Sequence, residues 1–417
     1  MSAPDPSRRG LLGLAAVAAA GLVAGRADAQ EPAPAPAPAP PVPDDATKVL
    51  GRGITANAER SAFEPLAIAP TNIITGTAFA PIQSFQGSLT PTDVQFQRHH
   101  AGIAQIDPTR WKLLVHGLVE RPVVFTLDDL KRFPSVTRVH FLECAGNGRK
   151  AFRERLPDLS PQFIDGQINN VEWTGVELRR VLAEVGPTAD AKWLLAEAGD
   201  AALLARSLPI EKALDDALLV YASNGEALRP AHGYPVRLLL PGWEANMSIK
   251  WLRRLELTAE PTMTKDETAK YSDPLPGDRA RQFSWVMDAK SIITSPSHPM
   301  KLTGPGSWPI SGLAWSGRGR LAKVEVSVDG GKTWAEAELQ GSNTGKSAVR
   351  FVSPWTWDGR PAVIQSRAVD DTGYVQPSYA EFEKGRGKGT DYHFNAIRAW
   401  RIDEAGDVFF LANPEAA

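Results

Sequence analysis

His140-Phe-Leu-Glu-Cys-Ala-Gly-Asn-Gly-Arg149 holds the only cysteine of a 417-residue chain. An apolar, β-prone run from Val139 to Leu142 enters it. Glu143 and Cys144 follow, then a turn-forming Ala-Gly-Asn-Gly, then Arg149. This order predicts a strand that ends in a thiol on a glycine-rich turn, with one soft ligand at the mouth of a fold. A lone cysteine is more often a small buried hydrophobe than a reactive group, so its surroundings have to decide.

The chain is long enough for two or three domains with full cores. Hydrophobic residues make up 43% and charged residues 23%, a globular composition. A net charge of −2 excludes the basic footprint of a nucleic-acid-binding protein. Ser7-Arg8-Arg9-Gly10-Leu11-Leu12 has the twin-arginine pattern, followed by an apolar run from Leu11 to Val23 and an A-x-A-like site at Ala27-Asp28-Ala29. That run is shorter than the roughly 20 residues needed to span a bilayer. Residues 1–29 therefore read as a cleaved twin-arginine signal, which predicts a periplasmic mature protein with no membrane span. In an oxidising compartment a single thiol is open to oxidation unless it is buried or bound to a metal.

Residues 30–43 alternate Ala and Pro, an extended spacer, and residues 44–90 read as a poorly regular arm. Residues 91–270 predict a compact α+β domain. Within it Thr126-Leu-Asp-Asp129 has the shape of a capping box. Helices are predicted over 173–186 and 209–222, and strands over 137–143, 192–197, 234–240 and 249–257. Residues 271–417 carry short alternating strands, with a hairpin signal at Asp329-Gly330-Gly331. They predict an antiparallel sandwich of immunoglobulin type.

Four sets besides the cysteine turn bear on chemistry. In Phe96-Gln-Arg-His-His100, adjacent histidines on a strand point to opposite faces and do not readily share a metal, so anion or cofactor binding competes with a solvated basic loop. In His232-Gly-Tyr-Pro-Val-Arg237, the arginine starts an apolar strand and needs an anionic partner, either a structural carboxylate or a ligand. Ser248-Ile249-Lys250 offers a hydroxyl and an ammonium to a phosphate, although alone it reads as well as an exposed lysine. Tyr271 has no compositional argument of its own. No CxxC, HExxH, GxGxxG or P-loop is present, and no Cys-x-x-Cys-His that would hold a c-type haem.

Taken in order, Phe96-Gln-Arg-His-His, Glu-Cys144-Ala-Gly-Asn-Gly-Arg149, Asn224-Gly-Glu-Ala-Leu-Arg-Pro230, His-Gly-Tyr-Pro-Val-Arg237 and Ser-Ile-Lys-Trp251 resemble the sulfite oxidase family of molybdoenzymes. Within that family the chain looks most like the molybdenum subunits of Sox-type sulfane dehydrogenases. The likeness lies in Arg98-His-His-Ala-Gly, Leu-Pro-Gly-Trp-Glu-Ala-Asn246, Gly-Leu-Ala-Trp-Ser-Gly-Arg-Gly-Arg320 and Asp-Thr-Gly-Tyr-Val-Gln-Pro377.

The resemblance implies a sulfite-oxidase-type molybdopterin-binding domain followed by a dimerisation domain, with a molybdenum–molybdopterin cofactor and no haem in this chain. Cys144 would be the metal ligand. Phe96, Arg98, His99, His100, His232 and Arg237 would line the pterin or substrate pocket, and Ser248, Ile249 and Lys250 would hold the cofactor phosphate. Arg98, Arg149 and Tyr271 would line the oxyanion pocket, with Asp200 at a further pocket position. His99 departs from the family, where asparagine is common, and a titratable ring there would alter the charge offered to substrate. The implied reaction is oxidation of sulfane sulfur on a carrier-protein cysteine, with electrons passed to a partner c-type, dihaem cytochrome. A free-sulfite dehydrogenase and a cofactor-free scaffold are the alternatives.

Overall fold

A computed structural model describes residues 53–416 apart from Ile73 and Pro276. The expected twin-arginine signal, the expected Ala/Pro spacer and the first part of the expected arm lie outside the described residues. Residues from Arg60 onward form one compact unit, and the account below concerns that unit.

Its N-terminal half is built on two sheets. One has the order Val123–Phe125, Leu113–Gly117, Leu252–Thr258, Trp193–Ala198, Ala205–Pro209. Leu252–Thr258 runs parallel to Leu113–Gly117 and antiparallel to Trp193–Ala198. The second sheet has the order Glu226–Ala227, Leu218–Ser223, Ile168–Glu177, Ser135–Glu143, with Arg237–Leu239 also paired to Leu218–Ser223. Thr126 caps the helix Leu127–Lys131 in a reciprocal box with Asp129, as its sequence predicts.

Two helix predictions give way to strands. Residues 173–177 belong to the strand Ile168–Glu177, and only Leu178–Val185 is helical. Residues 218–222 lie in the strand Leu218–Ser223, after the short helix Ile210–Asp215. In both places an apolar run met by strands on its two edges fills a sheet interior, and tertiary pairing overrides helical spacing.

The C-terminal half is a sandwich. One sheet has the order Lys290–Ser295, Ile310–Trp315, Val349–Ser353, Glu338–Gln340. The other has the order Ala335–Glu336, Leu321–Ser327, Ala362–Asp370, Ala399–Ile402, Val408–Leu411. At the predicted hairpin, Asp329 accepts from the Lys332 and Thr333 amides and from the Thr333 hydroxyl, which fixes the turn between paired strands.

The two halves share one apolar core. Trp315, Phe351 and Ile292 from the sandwich belong to the same buried cluster as Phe96, Phe141 and Ile164, and Cys144 packs against it. The short strand Thr77–Phe79 pairs with Gln97–Arg98, so the arm also orients the Arg98 segment.

Candidate active site

The strand Ser135–Glu143 ends one residue before Cys144, and the helix Arg149–Glu154 begins five residues after it. The intervening turn is closed by Asn147 N–H donating to the Cys144 carbonyl (2.9 Å) and Arg149 N–H donating to that of Gly146 (3.1 Å). Gly148 sits at φ 93°, and a Cβ there would collide with the Arg398 guanidinium and with Phe394. Cys144 is free and partly exposed. Burial pushes its thiol up, while the Gly146 N–H and the Arg98 and Arg149 cations pull the other way. A bound cation would take over the role of stabilising the thiolate.

Cys144 stands between two cavities. The inner one is lined by Phe96, Arg98, His99, His100, Asp200, His232, Arg237, Ser248, Lys250 and Tyr271. The outer one is lined by Arg149, Lys150, Arg153, Lys270 and Tyr392 among others. Arg98, His100, Cys144 and Tyr271 face both. The structure thus gathers all but two of the predicted site residues around the inner cavity. Arg149 faces the outer cavity only, and the Ile249 side chain lies fully in the apolar core.

The far end of the inner cavity is built for an anion. Arg237 is only 3% exposed and bonds backbone carbonyls alone, those of His232 (3.1 Å) and Ser248 (2.8 Å), while its Nε has no partner. Burial lowers its pKa to about 9, with no carboxylate to offset it. Of the two partners open to it from sequence, the structural carboxylate is not there. Lys250 donates to the carbonyls of Arg98 (3.0 Å) and Ala231 (3.1 Å) and lies 2.9 Å from His99 Nδ1. Burial and Arg237 push its ammonium well down, opposed by Asp200. Both ring nitrogens of His232 and one carboxylate oxygen of Asp200 are buried without partners. A buried guanidinium with no acid and a set of orphaned polar atoms fit a phosphate-bearing cofactor with hydrogen-bonding edges.

The histidines are neutral groups here. Burial, with Lys250 and Arg98 beside it, lowers His99 to about 3. Its ring accepts from Lys250, approaches Gln97 Oε1 at 3.2 Å and stacks on Trp251. Held this low, the His99 ring is neutral at neutral pH. Burial lowers His100 to about 4, and its Nε2 lies 3.2 Å from the Tyr271 hydroxyl. Burial raises the Tyr271 phenol, so the hydroxyl keeps its proton. The buried Arg206 guanidinium packs 4.7 Å from the Tyr271 ring centre and is itself held by Glu267 (2.7 Å) and Glu244 (3.4 Å).

Sequence reasoning missed several neighbours. Asn169 accepts the Phe96 N–H at 2.7 Å and lines the inner cavity. Tyr392 lies under Arg149 at 5.3 Å and accepts the Tyr271 N–H at 3.2 Å. Glu143 is a carboxylate that ends an apolar strand, a signal for a buried partner. The partners, Lys290 (2.9 Å) and Trp315 (2.6 Å), come from the sandwich.

Comparison with known proteins agrees with this arrangement. Residues 100–265 match the model of an oxidoreductase molybdopterin binding domain, and residues 281–398 that of a Mo-co oxidoreductase dimerisation domain. The sulfite oxidase of Gallus gallus is 30% identical over 69% of this chain and 68% of its own length. The NADH nitrate reductase of Spinacia oleracea is 33% identical over 65% of this chain. This chain spans only 32% of the nitrate reductase. The crystal structure of the sulfane dehydrogenase SoxCD from Paracoccus pantotrophus contains a chain that is 42% identical, with a TM-score of 0.84, covering 87% of this chain and 96% of that one. With both domains matched and the cysteine turn and anion-binding end in place, the chain belongs to the sulfite oxidase family of molybdopterin oxidoreductases.

Proposed function

We propose that the protein oxidises sulfane sulfur on a carrier-protein cysteine and passes the electrons to a partner c-type cytochrome. The observation that carries this reading is the 42% identity to a sulfane dehydrogenase chain over nearly its whole length. The twin-arginine pattern supports a periplasmic site of action. The match at residues 281–398 supports assembly as a homodimer through the sandwich. Among the described residues no helix is long and apolar enough to cross a membrane.

In this reading Cys144 ligates the metal, and Arg237, Ser248 and Lys250 hold the cofactor phosphate, with Ile249 contributing backbone. His232, His99 and Phe96 line the pterin edge. When bound, molybdenum–molybdopterin would supply oxygen-atom transfer and accept two electrons for each oxygen transferred. The chain's own residues then bind and orient. Arg98 lines both cavities and bonds only carbonyls, those of Thr75 and His99, which leaves donors for an anionic sulfur group. Tyr271, kept protonated, donates toward the reacting sulfur while neutral His100 fixes its hydroxyl. Asp200 offsets the positive charge around Lys250.

Steady-state turnover of the molybdenum-loaded protein with cytochrome c tests the reading. Carrier-bound persulfide should be oxidised much faster than free sulfite. Rapid turnover of free sulfite, with none on the carrier, would reject the sulfane assignment, and purified mature protein without molybdenum would reject the enzyme.

A further inference from the structure

Arg149 is already engaged. Its Nε and Nη2 donate to the Asp391 carbonyl at 3.0 and 2.7 Å, and its Nε lies 3.5 Å from the Asp391 carboxylate. Arg153, one turn further along the same helix, bonds that same carboxylate oxygen. One aspartate therefore partners two of the three guanidiniums that line the outer cavity, Arg149 and Arg153. Arg98, which faces both cavities, has only carbonyl partners.

The segment bearing Asp391 is pinned on both sides. Its own N–H (3.3 Å) and the Thr390 hydroxyl (2.9 Å) donate to Asp273, and the His393 N–H donates to the Ala145 carbonyl (2.8 Å), inside the cysteine turn. The aspartate is thus fixed relative to Cys144, while the three charged side chains remain 41–53% exposed. An ion pair this exposed is weak. It is weaker than a guanidinium fork closing on a multiply charged oxyanion.

We infer that Asp391 is a built-in competitor for the substrate anion: its carboxylate, bonded to Arg153 and 3.5 Å from Arg149 Nε, offsets the positive charge of this wall, so that an entering oxyanion meets Arg98 first and is opposed by the carboxylate as it approaches Arg149 and Arg153. This makes Asp391 a specificity-determining residue. The carboxylate sets how strongly this wall attracts a doubly charged sulfur oxide relative to a singly charged persulfide or sulfonate, because attraction to the guanidiniums scales with the charge of the anion. The inference rests on the reading of Arg98 and Arg149 as the anion-holding pair.

The test is sulfate binding to the molybdenum-loaded full-length protein by isothermal titration calorimetry. Asp391→Asn keeps the shape and the backbone carbonyl but removes the charge, and should tighten sulfate binding by about two- to fivefold. Asp391→Ser should do the same if the asparagine variant folds poorly. Glu154→Gln removes a carboxylate that also lines the outer cavity but pairs with Lys150, and should change affinity less than half as much. KM for the sulfur substrate should fall with Asp391→Asn while kcat moves less. Unchanged sulfate affinity in the Asp391 variants, or an equal gain in Glu154→Gln, would overturn the assignment. Sulfate binding is read without turnover. A protein that shows these affinities but oxidises no sulfur would sink the proposed reaction and leave the role of Asp391 standing.

Discussion

The Lys290 ammonium lies 2.9 Å from the Glu143 carboxylate, and through this contact the first strand of the sandwich grips the residue next to the cysteine. Lys290 also lies 2.6 Å from Asp165, which in turn binds Arg398 at 2.8 Å. The second oxygen of Glu143 accepts the Trp315 indole N–H. All four charged side chains are buried. The sandwich is therefore part of the foundation of the cysteine turn as well as a candidate dimer surface.

Removing Lys290 should expose that dependence. Lys290→Met takes the cation from buried Glu143 and leaves Asp165 with Arg398 alone, and an uncompensated buried charge typically costs about 3–5 kcal/mol. Guanidinium chloride unfolding should show a fall of that order, and molybdenum retention should drop with it. A variant as stable as the parent would show that the network adds nothing beyond apolar packing.

Arg237 gives the opposite sign in the empty and loaded protein. An unpaired buried cation destabilises the fold, and a methionine of similar volume removes that cost. Arg237→Met should raise the melting temperature of cofactor-free protein yet lower the pterin and molybdenum content after expression. If both quantities fall together, Arg237 is a structural residue and not a phosphate ligand.

Cys144→Ser should fold as the parent does, because the turn is closed by backbone bonds and not by sulfur. Circular dichroism should be unchanged while sulfur-oxidising activity falls to background. Residual activity near the parent level would remove Cys144 from the chemistry.

Acid should destabilise the cofactor-free protein through its buried histidines. Burial depresses His232 to about 3 and His140 to about 4 in the fold, against about 6.5 when unfolded. The unfolded chain then binds more protons between these values, so the stability they contribute is complete above about pH 6.5 and is lost as pH falls through 4 to 3. The slope should reach up to ~1.4 kcal/mol per pH unit for each such histidine. Denaturant midpoints from pH 7 to pH 4.5 check this, and replacing His140 with Gln should flatten the curve.

The sequence by itself determined the chemical parts. A strand of β-prone residues running into a glycine turn located Cys144, the capping box located one helix, and the family resemblance carried by the ordered motifs from Phe96 to Trp251 named about half of the residues that line the inner cavity. The strand, the turn and the capping box are local signals, in which residue type and spacing alone restrict the backbone. Tertiary structure decided what each part meets. It made strands of 173–177 and 218–222, because pairing on both edges outweighs helical spacing. It left Arg237 without a carboxylate and stripped the charge from His99 by burial. It also brought Lys290, Asp391 and Tyr392 from more than a hundred residues away to Glu143, Arg149 and Tyr271. Charge state and pairing depend on burial and on partners distant in the chain, and no spacing in the chain encodes either one.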